Sequence, residues 1–136
     1  MLFRLADAIR RRLRPDLGRH GEDLAHRYLR KHKYVIVARN YRPASGSAGE
    51  IDLIARHGTR LIFVEVKTRT SNAISFPERA VNDDKRRYMM RVAREYARRA
   101  GVELDDVRFD VIAITGSKNP VIEHLKDAFG DLIRID

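Results

Sequence analysis

The stretch 49-GEIDLIARHGTRLIFVEVKTRT-70 sets four charged side chains, Glu50, Asp52, Glu65 and Lys67, inside apolar runs. Carboxylates are seldom buried without a partner. The two runs predict a hairpin, with strands at Glu50 to Ala55 and Arg60 to Thr68 around a turn at His57-Gly58. Strand side chains alternate between faces, so Glu50 and Asp52 share one face, with Glu65 and Lys67 on that same face. If His57 and Gly58 form a two-residue turn, Glu65 lies opposite Glu50 and diagonal to Asp52. Diagonal neighbours are roughly 7–8 Å apart, within reach of long side chains. A slip of one residue would part them.

Three carboxylates gathered on one sheet face repel one another, and a divalent cation relieves that repulsion. Hard oxygen ligands in a chain with no cysteine favour magnesium or manganese over zinc. Lys67 then stands beside the cation, suited to orient an attacking water or to stabilise charge developing on a phosphate in hydrolysis. The plainer alternative is an ion pair of Lys67 with Glu65 or Glu50 on a solvated face. The aspartate on the preceding strand favours a site.

These residues need elements to hold them. Leu24, Ala25, Tyr28 and Leu29 recur at helical spacing after Pro15, and Tyr34 to Asn40 reads as a first strand. RPASGSAG (42 to 49) is a loop, and residues 70 to 82 show no period. Asp83 to Arg99 predicts a helix with Met89, Val92, Ala93, Tyr96 and Ala97 on one stripe, stopped by Gly101. Val107 to Ile114 predicts a buried strand. Asn119 to Ile122 is expected to continue or pair with it, and Glu123 to Phe129 to form a short helix. The order αβββαβ implies an α/β fold, one mixed β-sheet flanked by helices, with part of the sheet parallel through a helical crossover. Residues 1–17 read as a basic amphipathic helix or arm and 18–136 as the domain.

The chain has 136 residues, room for one domain. Lysine and arginine number 28 against 19 acids, a net charge of +9 that favours a polyanionic partner. Without cysteine, disulfides, thiol catalysis and thiolate metal sites are excluded. That absence fits a reducing, cytoplasmic location, and no apolar run has membrane-spanning length. The five histidines lack ligand spacing, Ser45, Ser47 and Ser71 have no nearby base, and no phosphate-binding glycine loop is present. Asp110 is expected to pair with Arg108 or Lys67.

Asp52 followed by Glu65-Val66-Lys67 resembles the core of the PD-(D/E)xK nuclease superfamily. G-E-x-x-A (Gly21, Glu22, Ala25), RNYR (Arg39 to Arg42), GEIDLIA, FVEVKTR and RFDVIAI resemble more closely the YraN family of endonuclease-like proteins. The likeness covers roughly residues 18 to 130. It implies a restriction-endonuclease-like core similar to Holliday junction resolvases, and a magnesium- or manganese-dependent endonuclease acting on DNA, branched DNA among the candidates. It implies Asp52 and Glu65 as metal ligands, the Val66 carbonyl completing the protein's share, and Lys67 as the catalytic lysine. Glu22 corresponds to a further acid on the first helix, with dipole complementation as its plainer reading. Glu50 fits as an outer or second-metal carboxylate. Lys85, with Arg42, Arg69 and Arg86, would contact nucleic acid, the plainer reading of the helix arginines being a solvated face. Ile51 stands where the superfamily has proline, and the loop before Glu50 is longer than usual. The alternative function is a non-catalytic nucleic-acid-binding module. Oligomeric state stays open, a homodimer included.

Overall fold

The computed structural model describes residues 15–43, 50–69, 83–116 and 118–128. Helix α1 (Pro15–Lys31) precedes strands β1 (Val35–Tyr41), β2 (Ile51–His57) and β3 (Arg60–Arg69). Helix α2 (Asp83–Ala100), a 3-10 turn (Leu104–Asp106), and strands β4 (Val107–Thr115) and β5 (Val121–Leu125) follow. The strands form one sheet in the order β1-β2-β3-β4-β5. Only β3 and β4 pair in parallel, with α2 between them in the chain; the other neighbours are antiparallel. The fold is α/β with one mixed sheet and two helices, compatible with a restriction-endonuclease-like core.

Each helix covers one sheet face because its apolar residues recur on one side. Ala25 and Leu29 of α1 are fully buried with Leu53, Ala55, Ile62, Val64 and Ile112. Tyr88, Met89, Val92, Ala93 and Ala97 of α2 pack on the other face against Ile54, Leu61, Phe63 and Phe109. Both helices stop in the same way. Gly101 has φ 71° and its N–H bonds the Arg98 carbonyl, while Val102 N–H reaches Ala97. Lys33, also at φ 71°, does this for α1, with Tyr34 N–H on the Leu29 carbonyl.

One glycine sets how α1 meets the sheet. A Cβ on Gly21 would lie 2.0 Å from Thr68 Cγ2, so only a glycine lets the helix come this close to β3. The neighbouring Glu22 is thereby brought toward the end of the strand that carries Glu65 and Lys67.

Three expectations need correction or placement. The expected helix from Glu123 to Phe129 is not found over its described residues, 123–128: Val121–Leu125 is β5, paired to the outer edge of β4 from Val111↔Leu125 to Thr115↔Val121, and Phe129 lies outside the described residues. Covering that edge wins over a segment too short to hold a helix by itself. Asp110 pairs with Arg108, not Lys67, and lies on the opposite sheet face from Glu65. Residues 1–14 of the expected arm lie outside the described residues, while Pro15 already belongs to α1. Among the described residues, no helix is long and apolar enough to cross a membrane.

Candidate active site

The β2–β3 hairpin turns at Gly58-Thr59, not at His57-Gly58, with Gly58 at φ 62° and His57 paired to Arg60. The pairing is therefore shifted by two residues from that expected. Two is the period of the pleat, so every side chain keeps its face. Asp52 comes directly opposite Glu65 in the continued register instead of diagonal to it.

The ladder between β2 and β3 ends at Leu53↔Val64, whereas β3 stays paired to β4 as far as Arg69↔Thr115. The two strands part where Asp52, Glu65 and Lys67 lie. Asp52 is 1% exposed and its Oδ2 accepts a hydrogen bond from the Val66 N–H at 2.9 Å. This charge-assisted bond replaces the ladder bond that the opening removes. Glu65 is 3% exposed and accepts at Oε1 from the Lys85 ammonium of α2, with Lys67 Nζ 3.5 Å from the same oxygen. Two cations thus flank one buried carboxylate. Lys85, expected on a phosphate-contacting surface, is itself only 5% exposed.

Beside this group lies a second pair of acids. Asn40 falls between the pairs Arg39↔Leu53 and Tyr41↔Ile51, hence across from Asp52, and adopts φ 50°. Asparagine tolerates that conformation better than β-branched residues do. Its amide, oriented with nitrogen toward the carboxylates, donates to Glu50 Oε1 and Glu22 Oε1, each at 3.2 Å. Arg39 lies 3.9 Å from Glu22 and donates to Asp23 at 2.8 Å, a bond that holds the Asp23 carboxyl below its usual range. Arg42 donates to Glu50 at 3.2 Å and is exposed. Arg69 and Arg86 are half-buried, on the end of β3 and next to Lys85 on α2.

The sequence reading missed Asn40, which joins the two acids. Its signal was an asparagine inside an otherwise β-branched strand, a residue type depleted there. It also missed Arg39 as the cation beside Glu22.

Among the described residues, no group of three or more His, Asp or Glu side chains is arranged to hold a metal ion. The donors on offer are two buried carboxylates, Asp52 and Glu65, with the Val66 backbone between them. Their oxygen chemistry fits magnesium or manganese and not zinc. Among Asp52 and the ion-paired groups named above, five acids (Asp52, Glu65, Glu22, Glu50 and Asp23) face four bases (Lys67, Lys85, Arg39 and Arg42), a net charge of −1. A dication would turn this net −1 into a net positive charge, the sign that attracts an anionic ligand.

A mixed sheet whose two strands part beside buried carboxylates and lysines is compatible with a restriction-endonuclease-like core and carries a carboxylate–lysine cluster. Residues 21–114 match the model of a family described as Uncharacterised protein family UPF0102. That segment contains all nine charged residues above. The chain is similar to a UPF0102 protein of Solibacter usitatus (strain Ellin6076), 51% identical over 130 residues, 95% of this chain and 98% of the relative. A UPF0102 protein of Rhodococcus jostii (strain RHA1) is 47% identical over 115 residues, 83% of this chain and 95% of the relative. One from Clostridium beijerinckii (strain ATCC 51743 / NCIMB 8052) is 39% identical over 122 residues, covering 88% and 97%. The chain belongs to UPF0102, the YraN family.

Proposed function

We propose that this chain is a magnesium- or manganese-dependent nuclease that hydrolyses DNA phosphodiester bonds, with branched DNA the first substrate form to try. The observation that carries the reading is the burial of Asp52 and Glu65 across from each other where the β2–β3 ladder ends, with Lys67 3.5 Å from Glu65. Burying two carboxylates is costly, and a site that uses them gives that cost a purpose.

Asp52, Glu65 and the Val66 carbonyl would hold the cation, which when bound supplies Lewis acidity toward a phosphoryl oxygen and a more acidic water. The Val66 N–H fixes the orientation of Asp52. Lys67 keeps an ammonium where charge develops on the phosphate, and Lys85 adds a second positive charge nearby. Water attacks phosphorus directly, and the P–O bond to the departing sugar oxygen breaks, with no covalent protein intermediate. Glu22 and Glu50, joined by Asn40, border the site and keep their own cations from collapsing onto Asp52 and Glu65.

A second reading is a nucleic-acid-binding module on the same fold. It is favoured by the two lysines that already balance Glu65. Incubation with plasmid, four-way-junction and single-stranded DNA, with magnesium, manganese or EDTA, separates the two. Metal-dependent cleavage that is absent in Asp52→Asn supports the nuclease. In Lys67→Ala the rate should fall by orders of magnitude. Salt-sensitive binding with no cleavage of any substrate by the wild type supports the module instead.

A further inference from the structure

The outer edge of β1 carries a feature that the proposed chemistry does not use. β1 is the first strand in the sheet order, so among the described residues one flank has no strand beside it. Along that flank runs an open groove of about 620 Å³, walled by His26 and Arg30 of α1 and lined by β1 up to Arg39. Val35 and Val37 are 64% and 42% exposed. Arg30 is exposed, and no ion pair joins it to an acid among the described residues. Arg39, at the other end, contacts Glu22, so the groove ends at the Glu22–Asn40–Glu50 group beside Asp52. His26 Nδ1 is buried without a hydrogen-bond partner among the described residues. Burial, with Arg39 and Arg30 close by, pushes the His26 pKa down.

We propose that this groove is a track for one strand of nucleic acid leading away from the carboxylate group. Phosphates lie on Arg30 and, at the far end, exchange with Asp23 for Arg39, while sugars and bases cover Val35 and Val37. The inference rests on the nuclease reading and adds the path of the strand. Charge complementarity selects the occupant: Arg30 meets no acid among the described residues, Arg39 at the far end is shared with Asp23 and Glu22, and the chain carries a net charge of +9. An added peptide strand suits the edge less well. The β1 register is irregular between Ile36 and Ala38, which breaks the even spacing of backbone groups that strand addition needs.

The chain has no cysteine, so Val37→Cys introduces a single thiol. The probe is a fluorescein-labelled single-stranded oligothymidine in EDTA, followed by anisotropy and by alkylation of that thiol with N-ethylmaleimide. Saturating oligonucleotide should slow alkylation about tenfold. Arg30→Glu should weaken binding about tenfold and lower the salt slope by roughly one, whereas Arg98→Glu on α2 should change it little. Binding that saturates while alkylation keeps its rate overturns the track and leaves the nuclease reading intact. Alkylation that slows with protein concentration and no oligonucleotide puts a second copy on the edge, which also overturns it. No binding of any oligonucleotide at low salt overturns both readings.

Discussion

Glu65→Gln tests whether the buried carboxylate is the keystone of the lysine pair. Removing the charge leaves Lys85, at 5% exposure, and Lys67, with a side chain 14% exposed, facing a neutral amide. Breaking a buried ion pair from one side costs about 3–5 kcal/mol. The glutamine oxygen still accepts one hydrogen bond worth about 1 kcal/mol, so the expected loss is about 2–4 kcal/mol. Lys85→Met is milder, because Lys67 still faces Glu65 and the methionine fills the space; about 1–2 kcal/mol is expected. The double variant removes acceptor charge and buried cation together. It should lose about 1–2 kcal/mol, well short of the summed single losses of about 3–6 kcal/mol, a coupling of about 2–4 kcal/mol. Urea unfolding followed by circular dichroism in EDTA measures all four proteins. Single losses that add to within about 0.5 kcal/mol would show that Glu65 and Lys85 are not one buried unit.

Two further outcomes follow from residues that support the site. Asp110 is fully buried; burial alone would raise its pKa, but bonds from His124 at 2.6 Å and from Arg108 hold it below the ordinary range. Its stabilisation is therefore present above the unfolded-state pKa of about 4 and lost as pH falls through the lower folded value. Asp110→Asn should cost about 3–5 kcal/mol at neutral pH and flatten the acid limb of a melting-temperature profile; an unchanged limb would refute this. Gly21→Ala should destabilise by about 1–3 kcal/mol despite better helix propensity, because its Cβ meets Thr68. Thr68→Ser removes the struck methyl and should restore most of the loss, and no rescue would mean that the close approach of α1 is not the cause.

The site was legible where pattern alone decides. The pleat puts Asp52, Glu65 and Lys67 on one face whatever the turn, and a register shifted by two leaves that intact. Gly58 fits either central position of a tight hairpin, so the turn itself was not readable. What escaped depends on tertiary approach. Lys85 reaches Glu65 from a helix 20 residues further along the chain, and nothing in its spacing marks it as buried. His124 bonds Asp110 from a segment that reads as a helix in isolation and becomes a strand only because β4 offers an edge. Asn40 joins Glu22 to Glu50 only once its backbone has turned to φ 50°. The loops at 44–49 and 70–82 lie outside the described residues.

The central claim is that Asp52 and Glu65 form one divalent-cation site. Isothermal titration of manganese into the wild type, Asp52→Asn, Glu65→Gln and Lys67→Ala, without DNA, addresses it directly. Binding to the wild type and to Lys67→Ala, lost in both carboxylate variants while their circular dichroism stays native, is the predicted result. Undiminished manganese affinity in folded Asp52→Asn and Glu65→Gln would contradict it.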